Sequence, residues 1–361
     1  MNIPKIVNEI GTIEDYGCEI NGISVKELFA KYEALGFIYP AKKKRLAKLM
    51  PLIEDNWNRL LKITPAILQI VSYQQNNKDF GTMCMLKSSN NGWLNHHGIA
   101  NKLPAIALAF LTAQQVHLEN EEMQSSQIWF RPNNRIMSRI CNRALANVPK
   151  EFSFNRTLNY LEFCPKKTFS KSREIIIERY ATEHKNIFES FLQEERGTAF
   201  LEGEELNSND VELSSLNKIY NQVGLERYRR IWLAFDQSHA TLLGVVIAYK
   251  GPIGLNFSFL ENRCELIIKS TLGKATMKKV VAQLVARITP QYQDFQLGFI
   301  PVIAEDNIAQ ILVQLGGQII RQYTQHLWTR PGFQDWYFGA VSAFKNILLR
   351  AYQQDRLATI K

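Results

Sequence analysis

The sequence predicts an α/β (α+β) fold, built as two tandem copies of one arrangement. At 361 residues the chain has the length for two domains, each burying a core of its own. Apolar spacing switches repeatedly between the alternation of a strand and the period of a helix. The closing segments of the two halves also repeat in kind: SQIWFRPNN, RIMSRICNRAL and FSFNRTLNYLEF stand against FQLGFIPVIAEDN, IAQILVQLGG and QIIRQYTQHLW. Each set reads as a strand, an Asn-bearing turn, a helix and an aromatic-rich strand, a repeat of pattern rather than of residues. The expected organisation is a lead-in and helix over 1–35, a first domain over 36–165, a second over 172–334 and a helical extension over 335–361.

Residues 1–23 show no sustained period. From there Val25, Leu28, Phe29 and Tyr32 have helical spacing, which stops before Gly36. GFIYP follows as a short strand. AKKKRLAKLMPLIEDNWNRLLK places Leu46, Leu49, Ile53, Trp57, Leu60 and Leu61 on one helix face, with Pro51 as a break. Opposite them Lys42, Lys43, Lys44, Arg45 and Lys48 form the densest basic cluster of the chain, read as a solvated face, with docking of an acidic partner as the alternative. AILQIVSYQ, DFGTMCML and GWLNHHGIA have strand composition and turn-rich separators, which predicts an antiparallel meander. LPAIALAFLTAQQV is a mostly buried helix. The pair His96-His97 invites metal or acid-base work. Adjacent strand residues point to opposite faces, and no carboxylate or cysteine is spaced to complete a ligand set, so structural roles are expected.

After LEFCP the basic stretch KKTFSKS marks the domain boundary. REIIIERYATEH is a strand, KNIFESFLQEE a helix, GTAFLEGEELNSNDVE a polar acidic loop and LSSLNKIYNQV a helix. RYRRIWLAFDQ and TLLGVVIAYK form a hairpin, and the NFSFLENRCELIIK region is a further strand. In MKKVVAQLVARI the residues Met277, Val280, Val281, Leu284, Val285 and Ile288 make one apolar face, as in a helix packed on a sheet. FQLGFIPV, a helix behind AEDN and the strand QIIRQYTQHLW close the half. A terminal helix is expected after Gly339, with Val341, Phe344, Ile347, Leu348 and Tyr352 roughly on one face.

The 43 Lys and Arg against 34 Asp and Glu leave a formal charge of +9, which favours acidic partners: nucleotide phosphates, nucleic acid, anionic lipid or an acidic carrier protein. Aromatics do not interleave with the basic cluster as a stacking platform requires, which argues against nucleic acid. Cys18, Cys84, Cys141, Cys164 and Cys264 lie far apart without a CxxC, so neither a zinc knuckle nor a disulfide framework is indicated. No apolar run approaches the roughly 18 to 20 residues of a membrane span, and the opening MNIPKIVNEIGTIEDYG carries acids where a signal peptide has its apolar core. A soluble, cytoplasmic protein is expected.

Ser270, Thr271, Gly273, Ala275 and Thr276, just ahead of the MKKVVAQLVARI helix, are small or able to turn, so backbone N–H groups can approach an anion closely. With the helix dipole and Lys274 nearby they form a competent pyrophosphate cradle. The turn from Ser270 to Ala275 resembles the coenzyme A pyrophosphate turn of GNAT-type N-acyltransferases, Q/R-x-x-G-x-G/A, matching at Gly273 and Ala275 and departing at Ser270. Downstream the family has an Asn after a strand, then Ala, an aromatic and Gly. Asp306, Ala309, Val313 and Gly317 fall at those spacings, with Asn307 one position late. Val313 replaces the tyrosine that often serves as general acid. The resemblance covers Arg173 to Trp328 as an order of elements and reaches the first half as a degenerate copy.

The resemblance implies two tandem GNAT-like domains, each a mixed, mostly antiparallel twisted sheet flanked by helices. The strands ending at Lys269 and beginning at Phe295 should splay and admit a pantetheine arm, and Pro301, lacking an N–H, suits a strand position released from pairing. Donor contacts then fall on Ile267, Ile268, Leu272, Gly273, Lys274, Ala275, Thr276, Asp306 and Asn307. The implied reaction moves an acyl group from acetyl-CoA or another acyl-CoA, or from an acyl carrier protein, to an amine of a small molecule or protein. Attack is direct, in a ternary complex, with no metal. A base, donors at the thioester oxygen and an acid for the thiolate are needed. Glu265 is the candidate base, and Tyr323 or His326 the acid. The alternative is a non-catalytic binding or assembly protein on a decayed tandem acyltransferase fold, which Ser270 and Val313 support.

Overall fold

The protein is described by a computed structural model over residues 17–75, 78–164, 174–293 and 296–359. The start of the expected lead-in, the boundary stretch KKTFSKS, Phe295 and the side chain of Tyr352 lie outside the described residues.

In chain order the elements are β1 (Cys18–Ile20), α1 (Val25–Ala34), α2 (Pro40–Leu46), α3 (Met50–Leu60), β2 (Leu68–Gln75), β3 (Asp79–Lys87), β4 (Gly92–Ala100), α4 (Leu103–Glu119), β5 (Ser125–Phe130), α5 (Arg135–Leu145) and β6 (Ser153–Phe163). There follow β7 (Ile175–Arg179), α6 (Lys185–Arg196), α7 (Thr198–Gly203), α8 (Ser214–Asn221), β8 (Tyr228–Asp236), β9 (Leu242–Lys250), β10 (Cys264–Ile268), α9 (Lys274–Ile288), β11 (Ile300–Ala304), α10 (Asp306–Gln314), β12 (Gly317–Thr329) and α11 (Phe333–Thr359). Two helix starts are capped by side chains: Ser24 accepts from Glu27 N at 3.2 Å ahead of α1, and Asn134 accepts from Met137 N at 3.2 Å ahead of α5.

Several local expectations are corrected. GFIYP is not a strand, because Gly36 at φ +74° ends the α1 segment and Pro40 already opens α2. The long basic segment is two helices, with Pro51 in the first turn of α3. GTAFLEGEELNSNDVE is no solvated loop: it forms α7 and buries Ala199, Phe200, Leu201, Leu206 and Val211, with Glu204 and Glu205 buried beside them. The terminal helix begins at Phe333, so that Trp336 and Tyr337 are already in it and buried.

Two compact units divide the chain, and each is discontinuous in sequence. The first comprises Met1–Trp129, Asn133–Ser153 and His326–Lys361; the second comprises Phe130–Pro132 and Phe154–Gln325. In the first, β1, β2, β3 and β4 pair antiparallel in sequence order, and β5 joins β4 in parallel after the α4 crossover. A Cβ on Gly81 of β3 would lie 2.3 Å from the Ala105 carbonyl oxygen, so only glycine lets α4 come this close. Arg330 closes the far end of α4, donating to the carbonyls of His117 at 2.8 Å, Leu118 at 3.0 Å and Asn120 at 3.1 Å. Gly339 of α11 lies where a Cβ would meet the Ala144 Cα of α5 at 2.6 Å. Gly339→Leu is therefore expected to cost about 1–3 kcal/mol in urea unfolding through overpacking; an unchanged midpoint would refute the close crossing.

In the second unit β7, β8, β9 and β10 again pair antiparallel and β11 joins β10 in parallel, after the α9 crossover. The expected repetition of one arrangement is thus present strand for strand. The apolar face foreseen for α9 is buried at Met277, Val280, Val281, Leu284, Val285 and Ile288. The strand order in this unit is β12-β6-β11-β10-β9-β8-β7. FSFNRTLNYLEF, expected to close the first half, is β6, and from Phe154 on it belongs to the second unit, paired with β11 from Ile300↔Phe163 to Ala304↔Asn159. Pro301 takes a partner on β6, Glu162, and none on β10.

Candidate functional site

The site begins where a parallel pair comes apart. All five residues of β10 are buried, as are all five of β11. On its β9 side β10 pairs continuously from Cys264 to Ile268, whereas on its β11 side the ladder holds two pairs, Cys264↔Val302 and Glu265↔Ile303. The strands therefore part at their carboxyl ends, the place where open α/β sheets leave a crevice.

From Ile268 the chain turns into α9. Gly273 is the residue ahead of the helix, at φ −65° and ψ 149°, and no side chain caps it. The first helical bond runs from Met277 N to the Gly273 carbonyl at 3.0 Å, which leaves the preceding N–H groups directed out of the helix start. Gly273, Lys274, Ala275 and Thr276 are exposed, Leu272 is half-buried, and a Cβ on Gly273 would meet nothing within 4 Å. The turn is open as an anion cradle requires. Two of its N–H groups are already engaged: Leu272 donates to the Lys269 carbonyl at 3.2 Å, and Ser270 donates from N at 2.9 Å and from Oγ at 3.2 Å to Glu195 Oε1, at the end of α6.

Across the opening Asp306 starts α10 and accepts from Asn159 Nδ2 at 2.5 Å, while Asn307 accepts from the Ile308 N–H at 2.8 Å. Ile267 and Ile268 are buried in β10, and Val313 is exposed on α10.

Glu265 is fully buried. Its Oε1 lies 3.9 Å from Arg196 Nε and its Oε2 lies 3.7 Å from Arg263 Nε, and neither oxygen has a hydrogen-bond partner among the described residues. Burial raises its carboxyl above the usual range, against the pull of Arg263 and Arg196. Arg196 is buried as well and donates from Nη1 to Glu305 Oε1 at 2.5 Å; Arg156 pairs with the same oxygen. Behind them Glu204 accepts from Arg263 Nη2 at 2.9 Å, Gln325 Nε2 at 3.1 Å and Tyr249 OH at 3.1 Å. Arg263 lies over the Tyr249 ring at 3.8 Å.

Tyr323 is buried in this unit and donates to Ser258 Oγ at 2.7 Å. His326 lies in the first unit, its ring 6.1 Å from that of Trp336. The second unit thus gathers Glu265, the turn before α9, and Asp306 with Asn307 around the parting of β10 and β11; His326 belongs to the first unit. Sequence reading missed Arg196, Arg156, Glu305, Glu195 and the Glu204 network. The signal for Arg263 was an arginine beside a strand too apolar for a solvated edge; QEERG at a helix end carried no signal beyond a charged face.

The histidine pair departs from expectation. The β3–β4 register shifts between Thr82 and Cys84, and His97 sits at φ +53°. This irregularity brings the two rings to 4.4 Å, and Trp57 stacks on His97 at 5.5 Å, so the rings share one side. Both are buried, and burial lowers both pKa values, that of His96 to about 3. Among the described residues no group of three His, Cys, Asp or Glu side chains is placed to hold a metal ion, and no helix is long and apolar enough to cross a membrane.

No protein-family model matches the chain, and no curated protein sequence does. Among solved structures it is similar to a tandem GNAT protein from the clavulanic acid biosynthesis pathway, at 9% identity and TM-score 0.40, over 76% of this chain and 87% of that one. It is also similar to a GCN5-related N-acetyltransferase from Sphaerobacter thermophilus, at 8% identity and TM-score 0.39, over 77% and 84%. A GCN5-related N-acetyltransferase from Kribbella flavida aligns at 8% identity and TM-score 0.37, over 78% and 95%.

Proposed function

We propose that the second unit binds a phosphopantetheine-bearing acyl donor, acetyl-CoA or another acyl-CoA or an acyl carrier protein, and transfers its acyl group to an amine. One observation carries this reading: the β10/β11 ladder stops after Glu265↔Ile303, and the same strand leads into the open, uncapped start of α9 behind Gly273. A slot with free strand edges and an anion cradle at its end suits an extended arm that terminates in a pyrophosphate. The acceptor nitrogen attacks the thioester carbon, the C–S bond breaks, and the ammonium proton passes to a base. Glu265, with its raised carboxyl pKa, is the base in this reading, and Tyr323 the acid that returns a proton to the thiolate. His326, in the first unit, is left without a role in this chemistry.

Calorimetric titration with acetyl-CoA tests the reading. Gly273→Glu fits the fold, since the backbone is ordinary there and the space is empty, yet it brings bulk and negative charge to the cradle. It is expected to weaken acetyl-CoA binding on the order of tenfold or more with the melting temperature unchanged. Failure of folded wild-type protein to bind either acetyl-CoA or a longer acyl-CoA would sink the coenzyme A donor. A non-catalytic binding role is the second reading, favoured by Glu195 already occupying the Ser270 amide; it gains if Gly273→Glu leaves the cellular role intact.

A further inference from the structure

The last turn of α6 reaches both parts of the donor site with consecutive residues. Glu195 accepts from Ser270 N and Oγ at the turn before α9. Arg196, next to it, spans from Glu265 of β10 to Glu305 just past the end of β11. Its guanidinium therefore bridges the strands where their ladder stops. Gly197 follows at φ +87° and ψ 165°, backbone that L side chains rarely adopt and the place where a helix end can swing.

We propose that this turn of α6 is an internal latch on the donor site, which must lift before a phosphopantetheine donor enters; the inference rests on the donor reading above. Two physical reasons support it. A donor phosphate at the Ser270 amide would meet the Glu195 carboxylate that already accepts there, and two anions at one donor repel. Arg196 is held incompletely: Nη1 is bonded to Glu305, while Nε and Nη2 are buried without a hydrogen-bond partner among the described residues. Unpaired buried donors are costly, so the bolted state of Arg196 is one that a new acceptor, such as a ligand carbonyl or phosphate, relieves. Lifting the turn also takes Arg196 away from Glu265, so donor entry and release of the base become one movement.

The test compares wild type, Glu195→Gln and Glu194→Gln by calorimetric titration with acetyl-CoA. Glu194 is exposed on the same turn and has no contact with Ser270 among the described bonds, so it controls for net charge. Glu195→Gln is expected to bind about tenfold more tightly than wild type, with Glu194→Gln within about twofold. Hydrogen exchange at the Ser270 amide should quicken in Glu195→Gln without any ligand. Equal binding by all three overturns the latch and leaves the donor reading standing, as does equal tightening by both variants. No binding by any of them, with melting transitions intact, overturns both.

Discussion

Lowering the pH from about 7 to about 5 is expected to destabilise the first unit on the order of 6–8 kcal/mol, through four buried histidines. Burial holds His96 at about 3, His326 at about 4, and His117 at about 3 with the Arg330 charge adding to the effect, and it holds His97 well below the usual range with the His96 and Lys42 charges adding to it. In the unfolded chain each titrates near 6.5. The unfolded state therefore takes up protons first, and stability present above pH 6.5 is lost as the pH falls towards the native values. At pH 5 each group accounts for up to about 2 kcal/mol. Urea unfolding at the two pH values reads the effect, and His96→Leu should remove roughly a quarter of it. If His96→Leu and wild type lose stability in parallel, His96 is not buried in its neutral form.

Removing Arg263 should be the most damaging single change in the second unit. Its Nη2 satisfies Glu204, its Nε faces Glu265, and its Nη1 donates to the Leu260 carbonyl at 3.2 Å. Arg263→Met keeps much of the packing over Tyr249 but leaves the buried Glu204 without its cation and Glu265 with Arg196 alone, which costs about 3–5 kcal/mol. Glu204→Gln in the same background should recover part of the loss, because the coupling lies between contacting residues. Chemical unfolding of the four members of this cycle measures it. A cycle that is additive within about 0.5 kcal/mol would show that Arg263 acts through packing alone.

The latch and the network share one lesson about charge in a sequence. QEERG reads as the solvated end of a helix and GEEL as a loop, because Glu and Arg are nearly always outside. Glu204 is inside because Gln325, 121 residues further on, and Arg263, 59 residues on, complete its bonds. No local window holds that information.

Local periodicity did announce the frame. The stripe from Met277 to Ile288 is buried as spaced, the three strands around DFGTMCML form the antiparallel meander, and four antiparallel strands followed by a crossover helix and a parallel strand recur in both units. These follow from neighbours in sequence, since a helix face or a strand face is defined within a few residues. The open turn at Gly273 was visible for the same reason: small residues ahead of an apolar helix stripe are a local pattern.

Pairing across the chain was settled by packing at a distance. β6 looks like the end of the first half, yet β11 offers an open edge and Asn159 to Phe163 fill it, a choice that alternation cannot express because any apolar strand presents the same pattern. The register shift that puts His96 and His97 on one side of β4 is a bulge in β4 itself, where His97, at φ +53°, and Gly98 stand opposite the single residue Met83, and strand composition does not announce it. Glu265 was picked out from its place ahead of a turn, but its burial between Arg196 and Arg263 depends on a helix end and a strand that only the folded chain brings together.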